Sequence, residues 1–291
     1  VASDDEGDNL VAVVFNGQIF TSADGGVSWT ARATTRNWIA VASSASGSAL
    51  VAVVAGGQIY TSSYYGNVWD ARETSRNWQA VASSSDGANL VAVVYNGQIY
   101  TSSNSGVSWT ARATTQNWRS VASSADGVKL IATAEGGQIY NSVDSGVSWT
   151  ARETARQWRS VAISADGVIQ VAVVYGGQIY TSTDSGVSWT ARATTQNWRG
   201  VACSADGAKC VACADGGKIY CSADSGANWY PMASDRYWYK IACSADGSKL
   251  LASVDSGQLY TGPPGLRPPG TIYTPPSPGS APAAPPAIFN P

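Results

Sequence analysis

The chain repeats itself every 40 residues. Laid against itself at that offset, the segment VAISADGVIQVAVVYGGQIYTSTDSGVSWTARATTQNWRG (161–200) falls on nearly all of the rest. Unit starts lie at Val1, Val41, Val81, Val121, Val161, Val201 and Ile241, with no insertion between them, and the seventh unit stops at Gly262. A strict period of this length restricts a chain to solenoids, propellers or arrays, because each unit must bury its apolar surface against the next copy. The content of the unit decides among them.

Each unit predicts four short strands. The first follows a Trp (Trp38, Trp78, Trp118, Trp158, Trp198, Trp238), the second is LVAVV or a close variant, the third is QIYTS and the last is SWTAR. Asp-Gly, Asn-Gly and Gly-Gly turns separate them, residues that accept positive φ cheaply, so successive strands should form hairpins. No segment carries a helical period. The second strand is apolar at consecutive positions, so both faces of its sheet must be covered; a one-sided sheet would alternate. Four-stranded sheets covered on both faces and repeated at about 40 residues describe blades around an axis. The expected fold is all-β, a seven-bladed β-propeller over residues 1–262 followed by an extended proline-rich tail at 263–291.

The turn before the last strand reads SADGGVSW at 22–29, SVDSGVSW at 142–149, STDSGVSW at 182–189 and SADSGANW at 222–229. This Ser-x-Asp-x-Gly-x-x-Trp pattern resembles the Asp-box (BNR) repeat of sialidase-like propellers. Tyr64 and Asn104 replace the Asp in units two and three. In sialidase-like proteins the box lies away from the catalytic face, so the resemblance implies a structural role for Asp24, Asp144, Asp184 and Asp224. The chemistry agrees: a turn Asp accepts N–H groups of its own loop, Gly takes the left-handed position and Trp packs into the blade. The 12 Trp read as core in the same way. The chain has no His, which excludes the Gly-His signature of WD repeats.

Differences between units are where a site would lie. One varying position is in the turn between second and third strands: Phe15, Ala55, Tyr95, Glu135, Tyr175, Asp215, Asp255. Another directly follows the first-strand Trp: Ile39, Gln79, Arg119, Arg159, Arg199, Tyr239. Propeller geometry sends both sets towards one rim, so Arg119, Arg159 and Arg199 should converge near the channel mouth with Glu135, Tyr95 and Tyr175 as a candidate ligand site. Sialidases also use an arginine triad, yet this chain has no Phe-Arg-Ile-Pro motif, and no nucleophile–acid pair stands out from the template. No catalytic residue is assigned. The alternative use of the arginines is pairing with Glu135 and Asp215, since a guanidinium fork suits a carboxylate.

Five cysteines crowd into units six and seven: Cys203, Cys210, Cys213, Cys221 and Cys243. Their spacing is not a zinc pattern, and no metal or cofactor is expected. Cys203 and Cys210 flank the Asp206-Gly207 turn at opposed positions. Counting through Gly216-Gly217 places Cys221 on their face and turns Cys213 the other way, towards Cys243. Disulfides among the five and buried reduced thiols are both compatible with that count. At the start of the chain, Asp4, Asp5, Glu6 and Asp8 read as a solvated acidic loop rather than a calcium cage.

Charged residues make up 13% and the net charge is −2, which leaves no electrostatic footprint for nucleic acid. No apolar run is long enough to span a membrane as a helix. Val1 falls at the start of a unit, so a trimmed or processed chain is expected, and the Ser, Thr, Asn and Gln surface suits a secreted β protein. The tail GPPGLRPPGTIYTPPSPGSAPAAPPAIFNP favours polyproline II. Its SPGSAPAAPP run resembles the hydroxyproline-rich cell-wall glycoproteins of plants and algae, which implies secretion and glycans on the tail. Thr271, Ile272, Tyr273 and Thr274 echo the third strand of the units and are suited to adding to a sheet edge. These features together lead to a non-enzymatic structural propeller, an extracellular assembly or filament subunit that self-associates through its tail. The alternatives are a lectin-like carbohydrate binder and a propeller resembling photosystem II assembly factors.

Overall fold

The computed structural model describes residues 1–262. It is all β-strand and turn, with no helix among the described residues. The unit built on Trp158 shows how the repeat folds. Trp158–Ile163 runs antiparallel to Gln170–Ser182, with Val161 opposite Ala172 and Ile163 opposite Gln170. Gln170–Ser182 then pairs with Thr190–Cys203, Tyr180 opposite Ala191 and Thr181 opposite Thr190.

Two of the four expected strands fuse with their neighbours. Gln170–Ser182 carries the second and third strands in one 13-residue run through the Gly176-Gly177 hairpin. Thr190–Cys203 begins as the outer strand of one unit and ends as the inner strand of the next, where Val201 faces Ala212. Unit boundaries therefore fall inside a strand. The hairpin turn needs a left-handed residue at its third position, met by Asn16 at φ 54°, Asn96 at 53° and Gly176 at 67°.

Packing explains the unbroken apolar strands. Val171 and Val173 join Trp198, Val201 and Ala212 of the following unit in one cluster. Ala172 and Val174, pointing the other way, join Trp158 and Ile131 and Ile139 of the preceding unit. Neighbouring residues on one strand thus meet different neighbouring sheets. Trp158 is fully buried and meets Tyr180 edge-on at 5.2 Å between ring centres. Equivalent Trp–Tyr pairs recur from Trp38–Tyr60 to Trp238–Tyr260.

The circuit closes at the turns between first and second strands. The N–H of Asp5 donates to the Ala45 carbonyl at 3.0 Å, and the same bond repeats from Ala45 to Ser85, Ser85 to Ala125, Ala125 to Ala165, Ala165 to Ala205 and Ala205 to Ala245. Ala245 then donates to Asp5 at 2.8 Å. Beneath five of these turns a buried Ser, such as Ser164, accepts the N–H five residues on and donates to the turn Asp; in the second unit Ser44 does the same with Ser46 in place of the Asp. In the first unit Asp4 holds that buried place, accepting from Asp8 N and Asn9 Nδ2. The acidic loop is therefore not simply solvated, a correction to the expectation. Its Asp8 also forms an ion pair with Lys249, joining the last unit to the first.

The Ser-x-Asp-x-Gly-x-x-Trp turns form the predicted local bonds, but the serine is the buried atom of the set. Ser182 Oγ accepts the buried Gly186 N–H at 2.9 Å and donates to Asp184 Oδ1 at 2.7 Å. Asp184 itself is exposed and accepts from Ser188 N at 2.9 Å and from Ser188 Oγ. Asn104 reproduces this pattern through Ser102 and Ser108. With Tyr64 in place of Asp, the Ser62–Gly66 bond survives at 3.1 Å, while the Trp69 indole N–H has no partner.

Candidate functional site

Each first strand that begins at a Trp carries a β-bulge directly after it. In the sixth unit Trp198 faces Ala214 and Gly200 faces Cys213, so Arg199 is the extra residue. The same skip leaves Arg119 between Trp118 and Ser120, and Arg159 between Trp158 and Ser160. A bulge frees one residue from the ladder and re-aims its side chain. Repeated at a fixed place in consecutive units, it gathers these side chains into one lining: Ile39, Gln79, Arg119, Arg159, Arg199, Tyr239 and Lys240 surround a cavity of about 20 Å³.

The carboxylates of the neighbouring turns reach two of the three arginines. Arg159 Nη1 donates to Glu135 Oε1 at 3.0 Å, and Arg199 donates to Asp215 Oδ2 through Nε at 3.0 Å and Nη2 at 2.6 Å. Arg119 donates to the neutral Gln79 Oε1 at 2.9 Å. Tyr175 lies beneath both Arg159 and Arg199, at 5.3 and 5.5 Å from ring centre to guanidinium carbon, and Tyr239 lies 5.6 Å from Arg199. Such contacts hold a guanidinium over an aromatic face without neutralising it. Tyr95, grouped with these residues from sequence, shows no ring contact with the arginines among the described residues.

Lys240 was not legible as a site residue. It stands where the other units have Ala40, Ala80, Ser120, Ser160 and Gly200, one residue beyond the bulge. Its only sequence signal was that break in a run of small residues. Burial, then the charge of Arg119, lowers the Lys240 amine to about 8. Burial and Arg119 likewise lower Arg159, whose Nε is buried without a partner. For Arg199 burial acts downward, but the hydrogen bond and charge of Asp215 outweigh it and leave the group raised. Among the described residues, neither Arg119 nor Lys240 forms an ion pair. With all four cations protonated against Glu135 and Asp215, the cluster carries a net positive charge.

The cysteines lie apart from this mouth, except Cys213. Cys203 faces Cys210 in register with the sulfurs 2.8 Å apart. Cys213 points away from Cys203 and Cys210 as expected, but the expected face of Cys221 is reversed: Cys213 and Cys221 pack together with Trp238 and Ile241, because Cys213 pairs with Ile219 and Val211 with Cys221. The turn spans Ala214 to Lys218, closed by Ala214 N to Lys218 O at 3.1 Å, which changes the parity assumed from Gly216-Gly217. Cys243 lies in electrostatic range of Cys203 and Cys210 rather than meeting Cys213. Burial pushes the Cys213 and Cys243 thiols up to about 12. All five are free, and no cluster of metal-ligating side chains occurs among the described residues.

No family model matches the chain, and no curated protein sequence does. Solved structures do match. YCF48 from Cyanidioschyzon merolae is 18% identical over 91% of each chain with a TM-score of 0.67. The Swd1 β-propeller domain of Myceliophteria thermophila is 12% identical over 87% of this chain and 92% of its own, with a TM-score of 0.68. A GH74 xyloglucanase from Xanthomonas campestris reaches 0.72 at 15% identity over 89% of this chain, which spans about half (51%) of that enzyme. A further match is YCF48 bound to D1 peptide, 17% identical with a TM-score of 0.66. The chain is a β-propeller. At these identities the likeness establishes the fold alone.

Proposed function

We propose that this chain is a seven-bladed, non-enzymatic propeller that serves as a protein-binding scaffold, taking an acidic segment of a partner at its arginine-lined mouth. The observation that carries the reading is the imbalance of charge there: among the described residues, Arg119, Arg159, Arg199 and Lys240 face only Glu135 and Asp215. The circuit of hydrogen bonds from Asp5 through Ala245 supports seven blades, and we read the Ser-x-Asp-x-Gly-x-x-Trp turns as Asp boxes. The peptide complex of YCF48 supports protein recognition by a propeller of this shape. Glycoside hydrolysis requires two carboxyl groups flanking the scissile bond, one of them free to donate a proton. Glu135 and Asp215 are each held by a guanidinium instead.

Fluorescence anisotropy with a labelled unstructured peptide rich in Asp and Glu tests the reading, with its Asn/Gln counterpart as control. Wild type should prefer the acidic peptide, and the preference should shrink with added salt because exposed charges are screened over about 10 Å at 0.1 M. Arg119→Gln combined with Arg159→Gln should weaken binding about tenfold or more, the scale of a charge-assisted hydrogen bond. Equal binding of both peptides, or no loss in the double variant, would overturn the assignment.

A second reading, assembly through the tail, rests on the sheet edge at Leu259–Gly262. This strand pairs with Leu250–Val254, and no further strand pairs with it among the described residues. Thr261 and Gly262 are exposed where the equivalent Thr181 and Ser182 are buried. Thr271–Thr274, the proposed donor strand, lies outside the described residues, as does the whole of the tail on which secretion and glycosylation were read. A chain ending at Gly262 should remain folded and run as a monomer by light scattering if the tail links molecules. Larger species persisting in that truncated chain count against the tail.

A further inference from the structure

Lys240 is the one lysine drawn into the channel mouth, and its surroundings are suited to an anion it does not have. Its equivalents are all Ala, Ser or Gly, so the long side chain occupies space the other units leave open beside Arg119, Arg159 and Arg199. Glu135 and Asp215 are already bonded to Arg159 and Arg199. The buried Arg159 Nε has no acceptor. The adjoining cavity, about 20 Å³, exceeds the ~10–15 Å³ needed to seat one water-sized group. That excludes sugars and aromatic aldehydes and leaves room for a very small electrophile.

We propose that Lys240 is a carbon dioxide-binding site, its Nζ forming a carbamate whose carboxylate is held among Arg119, Arg159 and Arg199. In the reaction the lone pair of the neutral amine forms a bond to the carbon of CO2. One C=O π pair moves onto oxygen, and the nitrogen releases a proton to solvent base. No oxidant or reductant takes part. The charge at Nζ changes from the positive ammonium to a negative carboxylate. Three arginines then face three anions, Glu135, Asp215 and the carbamate, so the carbamate-bearing mouth and the mouth occupied by an acidic segment are alternative states of one site.

The groups around Lys240 favour that product. Arg119, Arg159 and Arg199 disfavour the ammonium and favour the anion. Cys213 is held neutral by burial and supplies no competing charge. Tyr239 lines the cavity, and Tyr175 lies under two of the arginines. With the Lys240 amine near 8, a large neutral fraction is present at pH 8, where an ordinary lysine near 10.4 is almost wholly protonated.

The test uses the whole protein equilibrated with 13C-bicarbonate and dissolved CO2 at pH 8. The carbamate carbon is followed by NMR, then trapped by an alkyloxonium reagent and located by peptide mass mapping. One adduct on the Lys240 peptide is expected. It should vanish in Lys240→Met and fall about tenfold in Arg119→Gln, the equilibrium change for a shift of one pKa unit. Label absent from Lys240, or spread equally over Lys129, Lys209, Lys218 and Lys249, would overturn the proposal. The mapping is made on wild type, so the site is decided even if a variant fails to fold.

Discussion

Replacing Trp158 with Ala should lower the unfolding free energy by about 3–5 kcal/mol, the usual cost of removing a large buried aromatic. Trp158 has no exposed surface, packs with Ile131, Ile139, Val161, Ala172, Val174 and Tyr180, and joins two units. Its indole N–H donates to Thr154 O at 3.3 Å, so the truncation also leaves an acceptor unused. The surrounding strands are fixed by ladders on both sides and collapse poorly onto the void, which places the effect in the upper range. Urea denaturation followed by tryptophan fluorescence measures it as a shift in midpoint. Trp189, only partly buried in its Ser-x-Asp-x-Gly-x-x-Trp turn, should cost less when replaced. If Trp158→Ala kept its stability but lost peptide binding, the recurring Trp would belong to a ligand surface and not to the core.

The contrast between these two tryptophans shows how far the sequence could be read. Periodicity and the consecutive apolar residues of VAVV required sheets covered on both faces, and the alternate packing of Val171 to Val174 is that requirement met. The fusion of outer and inner strands was hidden because Arg192 to Gln196 (RATTQ) carries turn-compatible residues that also extend; Ala193 takes φ 54° within the run. The bond from Ala245 to Asp5 involves backbone atoms alone, and the Asp8–Lys249 pair beside it joins residues at opposite ends of the described chain that no local pattern links. Convergence of the arginines was legible because they share one position in the period. Lys240 was not, since it departs from a column of small residues whose meaning depends on the bulge before it. The face of Cys221 was misread for a related reason: strand parity survives only if the turn length is right, and the Ala214–Lys218 turn is longer than a two-residue hairpin.

Ser182→Ala should destabilise the protein by about 1–3 kcal/mol, the cost of leaving a buried donor unpaired, and should do more harm than Asp184→Ala. Ser182 is buried and its Oγ is the acceptor for the buried Gly186 N–H. Gly186 cannot turn away to find water, because it holds φ 78° against Asn141 and Gln170 of the preceding strands. Asp184, by contrast, is exposed, and the N–H groups it accepts can be solvated when it is removed. Unit two makes the same comparison naturally: Tyr64 replaces the Asp, and the Ser62–Gly66 bond and the left-handed Gly66 remain. The carboxylate still contributes, in a pH-dependent way. Hydrogen bonds from Ser188, then from Ser182, lower Asp184 from 3.8 to about 2, and Asp24 and Asp144 are lowered alike. A carboxyl depressed on folding adds stability above its unfolded value near 3.8, and that stability is lost as pH falls towards 2. Urea midpoints measured from pH 5 to pH 2 should therefore fall less steeply for Asp184→Ala than for wild type, while Ser182→Ala should be weaker across the whole range. Should Asp184→Ala prove the more damaging at pH 7, the carboxylate and not the serine would be the staple of the turn.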